Sequence, residues 1–322
     1  MNKARTVLFS LIAVLISLVV SLAAAELILR VKNTAGMNYD IEMWKYANTL
    51  KRPSDDPLLG HEHRSNASAH LQNVDIRTNE YGLRGGPLKP LQPGERRILF
   101  LGSSITLGWG VPENETMTAL IEEKFRKDGV EVQVLNGGIG NYNTARYAEL
   151  FLTRLTKLEP TDIVINYFIN DAEILPPGGG NFLLRHSQLA VTLWIAANRQ
   201  FGRTGMGNLE AHYRAVYDPQ AEGYRDMLAA LDRIKAYADA HHIRVYLAIT
   251  PDVHQLANYP FRYIHETMAR VAAERGFAFI DLYPPFERED PAKIWAMPGD
   301  PHPNARGHHL MADTLYPVLR NL

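Results

Sequence analysis

Between residues 97 and 322 the sequence alternates short apolar runs with longer segments in which apolar residues recur every three or four positions. Short apolar runs bounded by turn residues are typical of buried strands, and the longer spacing is typical of amphipathic helices. Strands that alternate with helices predict crossover connections and a parallel sheet that helices cover on both faces. We therefore predict an α/β fold, a three-layer α/β/α sandwich around a five-stranded parallel sheet.

The predicted elements follow one another in a regular order. The five strands are the apolar runs at residues 98–101, 130–135, 162–168, 243–249 and 277–282. The helices are residues 116–127, 144–158, 220–241, 261–275 and 305–319. Strands that are apolar throughout fit a parallel sheet, because both of their faces are buried.

The N-terminus carries a different pattern. Residues 7–25 are apolar except for three serines, and Lys3 and Arg5 precede them. About 20 such residues cross the ~30 Å core of a bilayer as a helix. The basic flank is expected to stay in the cytoplasm, so the rest of the chain would be exported to the periplasm. Two interpretations stay open: an uncleaved signal anchor, which the length favours, and a signal peptide cleaved near Ala23–Ala25.

Three regions are predicted from these patterns. Residues 1–30 form a signal anchor or transmembrane helix, residues 31–96 a linker and a loop-rich cap, and residues 97–322 the α/β domain. Within that domain, residues 173–218 are irregular and contain an apolar stretch at 189–197. Long insertions of this kind are often lids or binding loops, and a packed extra helix is the alternative.

Composition narrows the function classes. The chain is 46% hydrophobic and 21% charged, with a formal net charge of -1 and no basic stripe, so we predict no nucleic-acid partner. It has no cysteine, which excludes disulfides, thiolate metal sites and a cysteine nucleophile. The 12 histidines are scattered and show no HExxH spacing. We therefore predict no metal and no cofactor.

Candidate chemistry lies where the strands end, because parallel α/β sheets bind ligands at the carboxyl ends of their strands. Residues 102–108 follow the first strand and contain Ser104. A serine in a tight strand-to-helix turn can project its hydroxyl from the sheet edge, and its own N–H can face a bound oxyanion. An ordinary turn serine is the commoner explanation for such a segment taken alone.

Two more segments carry possible oxyanion donors. Residues 136–141 follow the second strand and are rich in glycine, which lets a backbone N–H approach a ligand closely. Gly140 and Asn141 are the candidates there. Asn170 follows the third strand, and its side-chain amide is a further possible donor. A flexible turn and an ordinary turn asparagine remain the alternatives for these two segments.

The fourth segment supplies a base. His302 lies between two prolines just before the last predicted helix, and Asp300 is two residues away, where it can hold the imidazole in one tautomer. The rival bases are His254, His308 and His309. We expect them to be poorer candidates, because the last two fall inside the final helix and His254 is expected to lack a partner as well placed as Asp300.

The order of the four segments resembles that of the SGNH/GDSL hydrolases, which have a flavodoxin-like α/β fold. The matching blocks are Gly102-Ser103-Ser104, Gly138-Ile139-Gly140-Asn141, Asn170-Asp171 and Asp300-Pro301-His302. The resemblance runs from about Arg97 to the C-terminus, and residues 78–85 look like the lead-in of membrane-anchored members. It implies Ser104 as nucleophile, His302 as base and Asp300 as its orienting acid. The implied oxyanion hole consists of the Ser104 N–H, the N–H of Gly140 or Asn141, and the Asn170 amide.

The sequence departs from the family pattern at several positions. Ser103 stands where the family usually has aspartate, and Phe168 stands where it usually has glycine. The usual glycine of the second block aligns with either Gly140 or Asn141. The Asp-x-His spacing is shorter than the Asp-x-x-His of many members and is like that of members acting on acetylated exopolysaccharides.

The resemblance implies a serine esterase without a cofactor. Its expected substrate is an acyl ester, above all an O-acetyl ester on extracytoplasmic carbohydrate or another small ester, and its N-terminal helix would hold it to the membrane. Three alternatives stay open. The acyl group could pass to a sugar hydroxyl, which makes an O-acetyltransferase; the substrate could be a lipid ester; or a degenerate domain could serve as a non-catalytic polysaccharide-binding or assembly protein.

Overall fold

A computed structural model describes residues 3–35, 38–175, 181–201, 206–298 and 300–321. The chain divides into two compact units. The small unit is Met1–Lys45 with Gly179–Arg203, and the large unit is Tyr46–Gly178 with Thr204–Leu322. The domain boundaries predicted at residues 30 and 96 stay predictions.

The described residues form helices and strands with the following bounds. The helices are α1 (Lys3–Ala35), α2 (Tyr39–Thr49), α3 (Ser104–Leu107), α4 (Met117–Lys127), α5 (Thr144–Leu150), α6 (Phe182–His186), α7 (Gln188–Phe201), α8 (Met206–Val216), α9 (Glu222–His241), α10 (Arg262–Arg275), α11 (Pro291–Ile294) and α12 (Ala305–Arg320). The strands are β1 (Lys51–Pro53), β2 (His61–His63), β3 (Ser68–Leu71), β4 (Val74–Arg77), β5 (Arg96–Gly102), β6 (Val132–Gly138), β7 (Asp162–Tyr167), β8 (Arg244–Ile249), β9 (Ala278–Asp281), β10 (Trp295–Met297) and β11 (Asp300–Pro303).

The small unit contains α1, α6, α7 and the start of α2. Helix α1 includes Arg5–Thr34, which is long and apolar enough to cross a membrane, a property that anchors and signal sequences share. Glu26 of α1 accepts hydrogen bonds from the backbone N–H groups of Gln188 and Leu189, at 3.0 and 2.8 Å. These bonds satisfy donors that the first turn of α7 cannot satisfy internally.

The large unit is built on a five-stranded parallel sheet with the order β6-β5-β7-β8-β9. Counted along the chain this is the order 2-1-3-4-5 of flavodoxin-like folds. All six residues of β7, a central strand, are buried. Helix α4 packs with α12, and α5 packs with α9. The predicted α/β class with a five-stranded parallel sheet is confirmed.

One predicted helix differs from the structure. The pattern predicted a continuous helix over residues 144–158, but the α-helix ends at Leu150. A π-helical turn at Phe151–Leu155 and a 3-10 turn at Thr156–Leu158 follow, and Glu159 then has a φ of 52°. Pro160 follows Glu159 and disfavours helical geometry there, so the chain tightens and turns toward β7.

The segment before β5 is more ordered than its polar sequence predicted. It contains two antiparallel hairpins, β1–β2 and β3–β4. Gln72 and Asn73 form the two-residue turn of the second hairpin, with φ values of 48° and 59°. Positive φ at both central positions is typical of the type I′ turn, which matches the twist of hairpin strands. The turn places Gln72 in the site described next.

Candidate active site

Ser104 lies in the tight turn between β5 and α3. The turn has no room for a side chain at Gly102, since an added Cβ would lie 2.2 Å from Thr106 Oγ1 and 2.8 Å from the Asn166 carbonyl oxygen. Ser104 is the first residue of α3, so its N–H has no acceptor within that helix. Its Oγ is 2.7 Å from His302 Nε2. The fold therefore brings together a hydroxyl and an imidazole that are 198 positions apart in the chain.

His302 is held by Asp300 within strand β11. The Nδ1 of His302 lies 2.5 Å from Asp300 Oδ1, and the His302 backbone N–H donates to the same oxygen at 3.2 Å. Strand β11 pairs with β10, and Asn304 caps the start of α12 by accepting from the Gly307 N–H at 3.2 Å. The strand pairing and the helix cap thus fix the backbone on both sides of His302. Since Nδ1 faces a carboxylate, Nε2 is the nitrogen that can accept the Ser104 proton.

The second oxygen of Asp300 also has a donor. Gln72 Nε2 donates to Asp300 Oδ2 at 2.7 Å, although the two residues are 228 positions apart. Burial alone would raise the pKa of Asp300, but the hydrogen bonds from His302 and Gln72 outweigh it and hold this pKa below its usual value. The carboxylate therefore stays ionised beside the imidazole at neutral pH, which favours protonation of His302 during a reaction.

The candidate oxyanion donors lie on both sides of Ser104. Asn141 follows β6 and Asn170 follows β7, and these two strands are the neighbours of β5 in the sheet. The Gly140 N–H donates to the Tyr46 hydroxyl at 2.9 Å, whereas the Asn141 N–H has no hydrogen-bond partner among the described residues. Asn141 adopts a left-handed backbone with a φ of 64°. Of the two backbone candidates, Asn141 is the one left unengaged.

Asn170 is half-buried next to this edge of the sheet. Its Oδ1 is buried and has no partner within the described part of the chain. Its side-chain nitrogen likewise makes no hydrogen bond there. A buried oxygen without a partner costs about 1–3 kcal/mol relative to a bonded one. This oxygen can only accept, so it is the uncommitted NH2 group of Asn170 that can donate to a ligand oxygen.

The rival histidines lie elsewhere. His308 is fully buried and accepts a hydrogen bond from the Met117 N–H at 3.0 Å, and burial lowers its pKa to about 3. His309 is exposed and 3.7 Å from Glu115. The expectation that His254 lacks a partner as well placed as Asp300 is wrong, because the His254 Nδ1 lies 2.8 Å from Asp252 Oδ1 in the same arrangement. Asp252 precedes His254 by two residues, and its carboxylate is close enough to accept a hydrogen bond from the imidazole Nδ1.

No group of three or more histidine, aspartate or glutamate side chains that could hold a metal ion occurs in the described parts of the chain. The two sequence predictions, no metal and no cofactor, stay predictions. The candidate chemistry described above is that of protein groups: a hydroxyl, an imidazole, a carboxylate and several N–H donors.

The sequence itself has a family match that agrees with this geometry. A family description of GDSL-like lipases and acylhydrolases matches residues 100–310, about two thirds of the chain. The chain belongs to the GDSL-like lipase/acylhydrolase family. The resemblance found in the four sequence blocks is thereby confirmed, and so is the predicted class of ester-hydrolysing enzyme. No curated protein matches the sequence.

Solved structures of similar fold are distant in sequence. A gut microbial diltiazem-metabolizing enzyme, BT4096, is 19% identical, with a TM-score of 0.44 over 71% of this chain and 47% of that one. A two-domain esterase active on acetylated mannans is 19% identical, with a TM-score of 0.46 over 70% and 49%. A member of the lipolytic G-D-S-L family from Veillonella parvula is 18% identical, with a TM-score of 0.42 over 71% and 100%. This chain spans about half the length of the first two.

Several residues beside the site escaped the sequence analysis. Gln72, Tyr46, Lys51 and His61 all come from the segment predicted to be a loop-rich cap. Gln72 bonds Asp300, and the other three bond the Gly140 backbone. The sequence offered only a weak indication of these contacts. Three histidines and a lysine within a short polar stretch do not show which backbone group their side chains will bond.

Proposed function

We propose that this chain is a serine esterase in which Ser104, His302 and Asp300 form a catalytic triad. One observation carries the proposal: Ser104 Oγ is 2.7 Å from His302 Nε2, while His302 Nδ1 is 2.5 Å from Asp300 Oδ1. A nucleophile bonded to a base, with the base oriented by a third group, is the arrangement that activates a serine hydroxyl.

The reaction follows from the positions of the protons. Ser104 Oγ attacks the ester carbonyl carbon, and its proton moves to His302 Nε2. The bond to the leaving alcohol then breaks as Nε2 returns that proton to the alcohol oxygen, leaving an acyl-enzyme. Water attacks this acyl-enzyme in the same way, releases the carboxylic acid and restores Ser104. Asp300 stays ionised throughout and stabilises the imidazolium that forms twice in the cycle.

The tetrahedral intermediate carries a negative oxygen that needs donors. We assign these to the N–H of Ser104, the N–H of Asn141 and the amide of Asn170. Asn141 replaces Gly140 as the preferred donor because the Gly140 N–H already bonds Tyr46. Losing one such donor typically lowers kcat by ~10²–10³, so three together account for a large part of the catalysis.

We propose an O-acetyl ester on exported carbohydrate as the substrate and α1 as a membrane anchor that keeps the large unit in the periplasm. The short Asp-x-His spacing, shared with family members acting on acetylated exopolysaccharides, supports the substrate class. The apolar length of Arg5–Thr34 and the basic residues before it support the anchor and its orientation.

Hydrolysis of p-nitrophenyl acetate tests the assignment of Ser104. Ser104→Ala should lower kcat by at least about 10³-fold, because the nucleophile is lost. Ser103→Ala is the matched control, since this neighbouring serine is only 4% exposed and forms no hydrogen bond with His302. Equal activity in the two variants would remove Ser104 from the role.

Acetate release from acetylated polysaccharides tests the substrate class. The wild-type enzyme should release acetate from a carbohydrate O-acetyl ester with a higher kcat/KM than from a long-chain lipid ester. Acetyl transfer to an added sugar without free acetate would instead establish the acyltransferase. A preference for long acyl chains would exclude the carbohydrate proposal.

A further inference from the structure

Lys51 is a buried lysine whose ammonium contacts the backbone of the candidate oxyanion hole. Its Nζ donates to the Gly140 carbonyl oxygen at 2.6 Å and lies 4.4 Å from the centroid of the Tyr46 ring. It forms no ion pair with any described residue. Burial, reinforced by the positive charge of Arg146, lowers the pKa of Lys51 to about 7. Holding a charged ammonium here without a carboxylate partner is therefore costly, and this position of Lys51 calls for an explanation other than stability.

The same carbonyl has a second donor. His61 Nε2 lies 3.0 Å from the Gly140 oxygen. Burial, reinforced by nearby Lys51, lowers the pKa of His61 to about 3, so the ring is neutral. A carbonyl can only accept, so Nε2 carries the ring proton and donates it. Two buried side chains thus converge on one main-chain oxygen, which has lone pairs for both.

The other side of Gly140 is equally constrained. Its N–H donates to the Tyr46 hydroxyl at 2.9 Å, and the Tyr46 hydroxyl lies 2.6 Å from His63 Nε2. His63 Nδ1 lies 2.9 Å from the Gly82 carbonyl oxygen, so Nδ1 carries the proton and Tyr46 donates to Nε2. A side chain at Gly140 would lie 2.6 Å from the Tyr46 ring. The backbone at Gly140 is therefore held at both its N–H and its C=O.

The carbonyl of Gly140 and the N–H of Asn141 belong to one peptide unit. In a trans peptide the C=O and the N–H point in opposite directions. Whatever fixes the Gly140 oxygen therefore fixes the direction of the Asn141 N–H. When Lys51 is protonated, its positive charge beside that oxygen also polarises the peptide and makes the Asn141 N–H a stronger donor.

We infer that Lys51 and His61 are positioning residues that aim and polarise the Asn141 N–H at the oxyanion of the transition state. The inference rests on the proposed function, because it needs a tetrahedral intermediate at Ser104. Neither side chain touches the substrate; both act through the Gly140–Asn141 peptide. Their effect should therefore appear in kcat, where the oxyanion forms, and not in the KM of a small ester.

The test compares Lys51→Met with Arg97→Met. Methionine keeps most of the Lys51 stem and removes its charge. Arg97 is the matched control: it is a buried cation that donates to a main-chain carbonyl, Leu158, at 2.6 Å, but at the opposite end of β5. Lys51→Met should lower kcat for p-nitrophenyl acetate about 10- to 100-fold at unchanged KM, less than the ~10²–10³ of a lost donor. Arg97→Met should lower the Tm and leave kcat of the folded enzyme near wild type.

A second pair of variants covers the case in which Lys51→Met does not fold. His61→Gln retains a donor near the position of Nε2, and His61→Leu removes it. Glutamine should restore most of the kcat that leucine loses. Equal kcat in both His61 variants, or wild-type kcat in folded Lys51→Met, would overturn the inference. Ser104→Ala distinguishes failure of the proposed triad from failure of this inference. If that variant keeps its activity, the triad itself is refuted.

A different observation concerns the small unit. The α7 face made of Leu189, Ala190, Leu193, Trp194 and Ala197 contains no polar side chain and is turned outward, with Leu193 59% and Trp194 55% exposed. Its opposite face buries Gln188 and Val191. On the preceding helix α6, Phe182 and Leu183 are also exposed. A helix with an apolar outer face is normally covered by protein or lipid.

The position of α7 along α1 indicates what covers this apolar face. Within Arg5–Thr34 only Ala25, Glu26, Leu29 and Asn33 are partly or fully buried, and they share one face of the helix. Glu26 and Asn33 bond the start of α7. Glu26 is also the first charged residue after the apolar run, so α7 begins where α1 is expected to leave the hydrocarbon core.

We propose that α6 and α7 lie in the lipid interface, with Phe182, Leu183, Leu193 and Trp194 inserted among the lipids. The proposal rests on α1 being the anchor. Tryptophan is enriched at this depth of membranes, and arginine is common at the same depth, where Arg30 and Arg185 stand in the sequence beside the apolar residues. The occupant of the patch is thus a phospholipid surface.

The absence of cysteine permits a clean test with single cysteines in the full chain. Leu193→Cys, Val14→Cys in α1 and Asp239→Cys on the exposed face of α9 are each labelled with an environment-sensitive fluorophore in vesicles containing brominated phospholipids. Labels at positions 193 and 14 should be quenched at least several-fold more than the label at 239. Quenching at 14 with none at 193 overturns the lipid contact alone. No quenching at 14 refutes the anchor and this inference with it.

Discussion

Two short segments of the large unit contain the same local motif, an aspartate and a histidine two residues apart. In Asp252-Val253-His254 and in Asp300-Pro301-His302 the histidine Nδ1 lies close to the aspartate Oδ1, at 2.8 and 2.5 Å. In both, the histidine backbone N–H donates to that oxygen, at 3.0 and 3.2 Å. Both aspartates are buried. By local geometry alone, either pair could supply a base.

The difference lies in what surrounds each pair. His302 Nε2 meets the Ser104 hydroxyl at 2.7 Å, whereas His254 Nε2 has no partner among the described residues. The second oxygen of Asp300 accepts a hydrogen bond from Gln72. The second oxygen of Asp252 lies 3.0 Å from the same His254 Nδ1 and has no separate donor of this kind in the described part of the chain. An Asp-x-His motif therefore orients an imidazole. What marks the Asp300–His302 pair as a candidate active site is the Ser104 hydroxyl beside the His302 Nε2.

The largest expected effect separates the two histidines. His302→Ala should lower kcat/KM for p-nitrophenyl acetate by about 10³-fold or more, because Ser104 loses its base. His254→Ala should stay within about twofold of wild type, and this exposed residue is the matched control. A comparable loss in both variants, with both folded by circular dichroism, would show that the two pairs are not functionally distinct.

The next effect separates the two aspartates. Asp300→Asn should lower kcat by roughly 10²–10⁴-fold, because an amide can donate to Nδ1 and leave the proton on Nε2, the wrong tautomer for a base. Asp252→Asn should change kcat little and should lower the pKa of His254, since the hydrogen bond that His254 donates to the Asp252 carboxylate is what raises it. Histidine NMR titration measures that shift, and kinetics measures the loss. An unchanged kcat in Asp300→Asn contradicts its role.

The smallest expected effect concerns the second carboxylate oxygen, where Asp300 and Asp252 differ. Gln72→Leu removes the donor to Asp300 Oδ2 that Asp252 lacks, and it should lower kcat by about tenfold, the effect of one charge-assisted hydrogen bond. Asn73→Ser in the same turn changes a neighbour that does not contact Asp300 and serves as the control. Equal kcat in the two variants would mean that the Gln72 contact is structural.

The sheet was predictable because its strands are apolar on both faces and bounded by turn residues. All five strands appear within a few residues of their predicted positions, as at residues 98–101 and Arg96–Gly102. The π-helical turn at Phe151–Leu155 was not predictable, since apolar residues continue there at helical spacing. The hairpin β3–β4 was missed for the opposite reason: its strands are short and only partly buried, so no apolar run marks them.

The candidate site was predictable where residues follow a strand end and not where they come from outside the sheet. Ser104, Asn141 and Asn170 follow adjacent strands, so the topology brings them to one edge. His254 was misjudged because the pairing with Asp252 depends on how one short loop bends back on itself. Lys51 was missed because a lysine in a polar stretch normally stays solvated, and only the folded chain shows that its ammonium meets a buried carbonyl.

Labelling with a fluorophosphonate, followed by mass mapping of the modified peptide, tests the central claim most directly. A serine becomes phosphonylated when a neighbouring base takes its proton and nearby donors stabilise the oxyanion. We predict one adduct on Ser104 in the wild-type enzyme and in His254→Ala, and none in His302→Ala at the same exposure. An adduct on another serine, or labelling of Ser104 that persists at the wild-type rate without His302, would contradict the account.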